Sequence, residues 1–131
     1  MATIELDKSG FEAAITADDS FIIVDFWAEW CGPCKQFGPI FERVSEKHPD
    51  ITFAKVDTDK EQELSAAAGI KSIPTLMMFR DGILLFNQAG AAPESALEDI
   101  IAQARGLDMN AIRAELESTA TSAEPGPGTD A

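Results

Sequence analysis

The sequence predicts one α/β domain in which a mixed β-sheet carries helices on both faces. Three observations support this prediction: strand-like and helix-like segments alternate, one strand is apolar on both faces, and an Asp-Gly pair predicts a late hairpin. The chain has 131 residues, the size of one ordinary domain. Hydrophobic residues make up 45% of it, which suffices for a core without disulfide staples.

The first elements follow a strand, helix, strand pattern. Ile4 and Leu6 fit a short edge strand, and Ser9–Glu12 predicts the capping box of a first helix. Residues 21–27 are almost wholly apolar without alternation, which indicates a strand covered on both faces.

A helix and a second strand-helix pair follow. The helix after residue 34 has apolar residues at helical spacing, contains Pro39 and ends at His48-Pro49. Residues 51–56 predict a strand, and residues 61–68 predict a helix that Gly69 closes.

A hairpin and a helix complete the domain. The segments 75–79 and 83–86 flank Asp81-Gly82, a strong signal for a tight turn. Pro93 suits the first turn of a last helix, whose buried stripe includes Leu97.

The composition changes after Gly106. Asp108 is a candidate N-cap for a short accessory helix over residues 107–117. Residues 118–131 contain no large apolar residue, so burial cannot offset their ordering entropy. The sequence therefore predicts a main domain over 1–106, the accessory helix, and a disordered tail over 118–131.

The charge argues against two classes of partner. The 23 acidic and 10 basic residues give a net charge of −13, which repels nucleic-acid phosphates and anionic lipid. No apolar run approaches the ~20 residues of a membrane span, and Met1–Ser9 is too charged for a secretory signal. We therefore expect a cytoplasmic protein that binds neither nucleic acid nor membrane.

The two cysteines predict chemistry rather than stapling. Cys31 and Cys34 are three residues apart, and a disulfide across so short a loop removes little chain entropy. An inert disulfide and a metal site are the alternatives. A metal is disfavoured because zinc requires about four ligands, and the chain adds only His48 to the two cysteines.

Two charged residues interrupt apolar strands. Burial of Asp25 within residues 21–27 raises the pKa of its carboxyl, which suits a general base. The alternative is a hydrogen-bonded structural carboxylate. Lys55 interrupts the next strand and could instead be a solvated edge residue.

Several motifs together give a family resemblance. The run from Phe26 to Lys35, which includes Trp30-Cys31-Gly32-Pro33-Cys34, resembles the thioredoxin family, as do Ile73-Pro74-Thr75 and Gly90. The resemblance extends over about residues 2–105 and implies a five-stranded mixed sheet of order 1-3-2-4-5 with three parallel strands. It also implies a protein-disulfide reductase, an electron carrier in cellular redox homeostasis.

The resemblance implies a role for each site residue. Cys31, exposed just before a helix and held there as a thiolate, attacks a substrate disulfide. Cys34, shielded beneath it, then resolves the mixed disulfide. Asp25 is the general base, acting through a water, and Lys55 is its electrostatic partner. A cis Pro74 and an apolar surface bind the substrate; the other surface residues are Trp30, Gly32, Pro33, Ile73, Gly90 and Ala91, whereas Phe26 and Trp27 belong to the core.

The resemblance also implies partners and a direction of electron flow. Gly-Pro between the cysteines stabilises the thiolate less than the residues of an oxidase do, which favours a reductant. The partners are disulfide-containing proteins and thioredoxin reductase, which supplies NADPH electrons through its own flavin. We expect a monomer with no bound cofactor and no metal. A specialised oxidase or isomerase is the rival from the same chemistry, and a non-enzymatic binding module is the rival from another class.

Overall fold

The computed structural model describes residues 2–122, which form five strands and five helices. The strands are β1 (Thr3–Glu5), β2 (Phe21–Trp27), β3 (Thr52–Asp57), β4 (Thr75–Arg80) and β5 (Ile83–Ala89). The helices are α1 (Lys8–Thr16), α2 (Gly32–Lys47), α3 (Gln62–Ala67), α4 (Glu94–Arg105) and α5 (Met109–Ser122). A first compact unit ends at Ile100 and a second begins at Ile101, so the sheet lies in the first unit.

The five strands form one mixed sheet in the order β1-β3-β2-β4-β5. Strands β1 and β2 both pair with β3 in parallel, β4 pairs antiparallel with β2, and β5 pairs antiparallel with β4. The predicted fold class and strand order are confirmed. Because β2 is the central strand, the residues that follow Trp27 emerge at the middle of one sheet edge.

Both faces of β2 are buried, as its apolar composition predicts. Ile22, Val24 and Phe26 belong to the core cluster that contains Phe11 of α1. The alternate residues face the other side, where α2 lies. There Phe53 of β3 is in register with Ile23, and its ring centroid lies 5.2 Å from that of Phe41 in α2. Asp25, two residues along from Ile23, therefore points toward the α2 side.

The β4–β5 hairpin has the predicted two-residue turn. Asp81 and Gly82 connect Arg80 to Ile83, which are register partners. Both turn residues have positive φ, 55° and 79°. This is the requirement of a type I′ turn, which Asp-Gly meets at little steric cost.

The start of α1 differs from its prediction. The expected capping box at Ser9–Glu12 is wrong, because the helix begins at Lys8 with Asp7 as its N-cap. The Asp7 carboxylate accepts a hydrogen bond from the backbone N–H of Gly10 at 2.8 Å. Aspartate caps as well as serine does, and capping at the earlier residue leaves more residues helical.

The second unit contains the accessory helix. Asp108 accepts a hydrogen bond from the backbone N–H of Ala111 at 3.1 Å, which confirms the expected cap. Helix α5 continues to Ser122, five residues past the end expected from the sequence. The remainder of the expected tail, 123–131, lies outside the described residues. Among residues 2–122, no helix has the length and apolar character needed to cross a membrane.

Candidate active site

Helix α2 begins at the two cysteines, immediately after the turn that leaves the central strand. Cys31 is the N-cap, and its Sγ accepts a hydrogen bond from the backbone N–H of Cys34 at 3.2 Å. Pro33 lies in the first turn, where its missing N–H removes no helical hydrogen bond. The sulfur of Cys31 thus occupies the position of a capping oxygen, where the helix dipole favours negative charge.

Cys31 and Cys34 form a disulfide with their Cα atoms 5.2 Å apart. The first helical turn supplies this separation, because it brings residues three apart onto one side of the helix. Within residues 2–122, no group of three or more His, Cys, Asp or Glu side chains is arranged to hold a metal ion.

The exposure of Cys31 is a correction to the sequence analysis. An attacking sulfur was expected to be exposed and its partner shielded, yet Cys31 is 4% exposed and Cys34 is 3% exposed. The two cysteines form a small cluster with Ala28, and Trp27 and Ile73 pack against it. The difference between them lies in the openings they line: Cys31 lines one cavity and Cys34 lines another.

Asp25 lies in the central strand β2, which leads to the cysteines, and its side chain is completely buried. Neither oxygen of its carboxylate has a hydrogen-bond partner within the described residues. Burial raises the pKa of Asp25 from 3.8 to about 7, although the positive charge of Lys55 acts in the opposite direction. Among the described residues no donor reaches this carboxylate, so burial sets the direction of its pKa shift.

Lys55 lies on the neighbouring strand, in register with Asp25. Its Nζ is 3.9 Å from Oδ2 of Asp25 and 4.8 Å from the ring centroid of Trp27. The side chain is 20% exposed, so it is held over the buried carboxylate and is not freely solvated. Trp27 is partly buried, as expected of a residue that is mainly core.

An open cleft of about 560 Å³ lies beside this charge pair and is bordered by both Lys55 and Cys34. Cys34, Lys55, Trp27 and Gly38 are among the residues that line it. We call it the Cys34 cleft. It borders Cys34 and Lys55, whereas Asp25 lies buried outside its lining.

The Ile73–Pro74 peptide bond is cis, as the resemblance implied. The carbonyl oxygen of Ile73 lies 3.7 Å from Sγ of Cys31, so this loop contacts the disulfide directly. The backbone N–H of Gly90 donates to the carbonyl oxygen of Pro74 at 2.8 Å. Gly90 has a φ of +105°, which favours glycine at the point where β5 ends beside the loop.

The surface predicted to bind the substrate is exposed around the disulfide, except at the Ile73–Pro74 loop. Trp30 is 70% exposed, a large fraction for an indole, whereas Ile73 is partly buried and Pro74 is buried. The remaining surface residues that the sequence predicted are all exposed: Gly32, Pro33, Gly90 and Ala91.

Sequence reasoning missed the residue that holds Trp30 in place. The Nε1–H of Trp30 donates to the carboxylate of Asp59 at 2.9 Å. Asp59 follows β3, whose C-terminal end lies beside that of β2 in the parallel sheet. The available signal was an acidic residue in the turn after a strand that runs parallel to the one preceding Trp30.

Comparison with known proteins identifies the family. The sequence model of the family named Thioredoxin matches residues 2–103. The chain belongs to the thioredoxin family. A relative from Streptomyces coelicolor is 54% identical over 112 residues, which cover 86% of this chain and 83% of the relative. The thioredoxin of Alicyclobacillus acidocaldarius is 41% identical over 98 residues, covering 74% of this chain and 92% of that protein.

Solved structures of thioredoxins share the fold. A mutant thioredoxin from Halobacterium salinarum superposes with a TM-score of 0.73 at 32% identity, covering 81% of this chain and 93% of that one. The thioredoxin of Malassezia sympodialis gives a TM-score of 0.69 at 33% identity, covering 79% and 90%. The cysteine pair therefore belongs to a thiol-disulfide oxidoreductase family, in which it is the redox-active pair.

Proposed function

We propose that this thioredoxin-family protein is a general protein-disulfide reductase. The observation that carries the proposal is the disulfide between Cys31 and Cys34 at the N-terminus of α2, bordered by exposed Trp30 and by the cis Ile73–Pro74 loop. An inert disulfide needs neither a helix terminus nor an apolar border. A redox-active cysteine pair uses the helix N-terminus to stabilise a thiolate and the apolar border to bind a substrate.

In the reduced protein, the Cys31 thiolate attacks one sulfur of a substrate disulfide. A bond forms between the two sulfurs, the substrate disulfide breaks, and its second sulfur leaves as a thiolate that takes a proton from water. Cys34, deprotonated by Asp25 through a water in the Cys34 cleft, then attacks Sγ of Cys31. The mixed disulfide breaks, the substrate leaves as a dithiol, and two electrons have passed from the protein to the substrate.

The raised pKa of Asp25 supports its role as the base for the second attack. A carboxylate with an ordinary pKa of 3.8 is too weak a base to take a proton from a thiol efficiently, whereas one near 7 is better matched. Lys55, 3.9 Å away, keeps part of the Asp25 population charged at neutral pH. Trp30, Gly32, Pro33, Ile73, Pro74, Gly90 and Ala91 form the surface on which the substrate binds.

The described disulfide is the oxidised form, so each cycle requires a reductant. Members of this family generally work with thioredoxin reductase, and we propose that partner here, with NADPH as the electron source and the flavin on the reductase. The Gly-Pro pair between the cysteines favours reduction of substrates over their oxidation. We place the protein in the cytoplasm, because a reducing compartment maintains such a dithiol. We also propose that it is a monomer without a bound cofactor.

Reduction of insulin disulfides by the dithiol form tests this function. The wild type should accelerate insulin precipitation under a limiting small-molecule thiol, and Cys31→Ser should reduce the rate to background. Circular dichroism establishes that the variant is folded. Full activity in Cys31→Ser would contradict the mechanism, and a wild type that binds insulin without reducing it would favour a binding module.

A further inference from the structure

The opening beside Cys31, which we call the Cys31 cavity, has an unusual distribution of charge. It measures about 490 Å³ and is lined on its apolar side by Trp30, Pro33, Ile70 and Ile73. Its polar lining consists of Thr58, Ser65, Lys71 and Ser72. The chain carries 23 acidic residues, yet no carboxylate lines this cavity.

Two of the three lining hydroxyl groups already use their protons within the protein. The hydroxyl of Thr58 donates to the carbonyl oxygen of Trp27 at 3.1 Å. The hydroxyl of Ser65 donates to the carbonyl oxygen of Glu61 at 2.8 Å. Each of them can therefore only accept a further hydrogen bond.

Lys71 and Ser72 are the available donors. Within the described residues, the ammonium group of Lys71 and the hydroxyl of Ser72 form no hydrogen bond, and Lys71 forms no ion pair. Both residues are exposed, and they directly precede Ile73 in the sequence. The cavity thus offers donors and a positive charge without a neutralising carboxylate in its lining.

The Cys34 cleft provides a contrast within the same site. Three cations line it together with the carboxylates of Glu42 and Glu46; they are Lys35, Arg43 and Lys55. Arg43 pairs with Glu94 at 3.1 Å, and Lys55 lies 3.9 Å from Asp25. Two of the three cations that line the Cys34 cleft, Arg43 and Lys55, thus have a carboxylate within 4 Å. Lys71, the charged residue that lines the Cys31 cavity, has no such partner among the described residues, and the nearby carboxylate of Asp59 accepts from Nε1 of Trp30.

We infer that the Cys31 cavity is a substrate subsite that selects an acidic side chain next to the reacting cysteine, with Lys71 as the specificity-determining residue. The inference rests on the proposed function, because a substrate sulfur bonded to Cys31 brings its neighbouring residue to the cavity. A carboxylate there accepts from the Lys71 ammonium and the Ser72 hydroxyl. A lysine at the same substrate position is repelled.

The test compares three peptide disulfides that are identical except for Glu, Gln or Lys next to one cysteine. The second-order rate constant for reduction by the dithiol protein is measured for each. Since Lys71 is exposed, the preference for Glu over Gln should be about three- to fivefold in ~50 mM salt and should fall toward one in ~1 M salt. In Lys71→Gln the ratio should approach one, and in Lys71→Glu the Lys peptide should become the preferred substrate.

Lys35→Gln is the matched control, because Lys35 lines the Cys34 cleft. It removes the same charge from the chain and should preserve the Glu-to-Gln ratio. Equal rates for the three wild-type reactions, a ratio that persists in Lys71→Gln, or an equal loss in Lys35→Gln would overturn the subsite. If the wild type reduces none of the peptides, the proposed function itself fails.

Discussion

Replacement of Asp25 by asparagine removes a buried ionisable group while preserving its shape. In the folded protein, burial raises the pKa of Asp25 from 3.8 to about 7. Between these two pKa values, the folded state holds a proton that the unfolded state has released. The free energy of unfolding of the wild type therefore falls as the pH rises from 3.8 to about 7. Three pKa units at 1.36 kcal/mol each correspond to about 4 kcal/mol. Asparagine does not titrate, so Asp25→Asn avoids this loss.

The expected result is a stability difference that depends on pH. The free energy of unfolding of Asp25→Asn, minus that of the wild type, should increase between pH 4 and pH 7 and level off about 4 kcal/mol higher above pH 8. Guanidinium unfolding of the oxidised proteins, followed by tryptophan fluorescence from about pH 3.5 to about pH 9, measures this difference. Asp18→Asn, which replaces an exposed carboxylate, is the control and should stay within about 0.5 kcal/mol of the wild type.

A difference that is the same at pH 4.5 and pH 8.5 would refute this reasoning. It would mean that Asp25 does not change charge near neutrality, and its assignment as the base would then lose its basis. A second readout is the release of substrate from the mixed disulfide. That step should be slower in Asp25→Asn at pH 7, and an unchanged rate would leave Asp25 a structural residue.

Three further substitutions test neighbouring parts of the account. Cys34→Ser should accumulate mixed disulfides between Cys31 and substrates, visible on non-reducing gels, and their absence would contradict the resolving role. Lys55→Gln should move the pH-dependent loss of wild-type stability to higher pH, because Lys55 lowers the pKa of Asp25; an unshifted or downward-shifted profile would show that the pair does not interact. Gly38→Ala should raise the free energy of unfolding by about 1 kcal/mol, since a Cβ there would lie 3.6 Å from Nζ of Lys55, an ordinary contact; a decrease would show that Lys55 requires that space.

Local composition predicted the elements that position the site. The apolar run of β2 indicated a central strand, and Asp81-Gly82 indicated the hairpin, because each signal lies within a few residues. The start of α1 was misplaced because Asp7 and Ser9 are both good caps and only the folded chain shows which is used. The strand order and the cis Ile73–Pro74 bond followed from the family resemblance.

Long-range features of the site were beyond sequence reasoning. The hydrogen bond from Trp30 to Asp59 joins residues 29 positions apart, and it depends on two parallel strands ending at one edge. The burial of Cys31 depends on packing by Trp27 and Ile73. The isolation of Asp25 from hydrogen-bond donors could be suspected from its apolar neighbours, but only the packing of α2 over the sheet establishes it.

Titration of the Cys31 thiol in the reduced protein tests the central claim most directly. The helix N-terminus and the Cys34 N–H should hold the sulfur as an anion. Thiolate absorbance and the alkylation rate should therefore rise with pH, and the midpoint of that rise should lie at least one pH unit below the pKa of a free thiol, which is about 8.5. Cys34→Ser assigns the signal to Cys31. A midpoint at or above that of a free thiol would contradict the account.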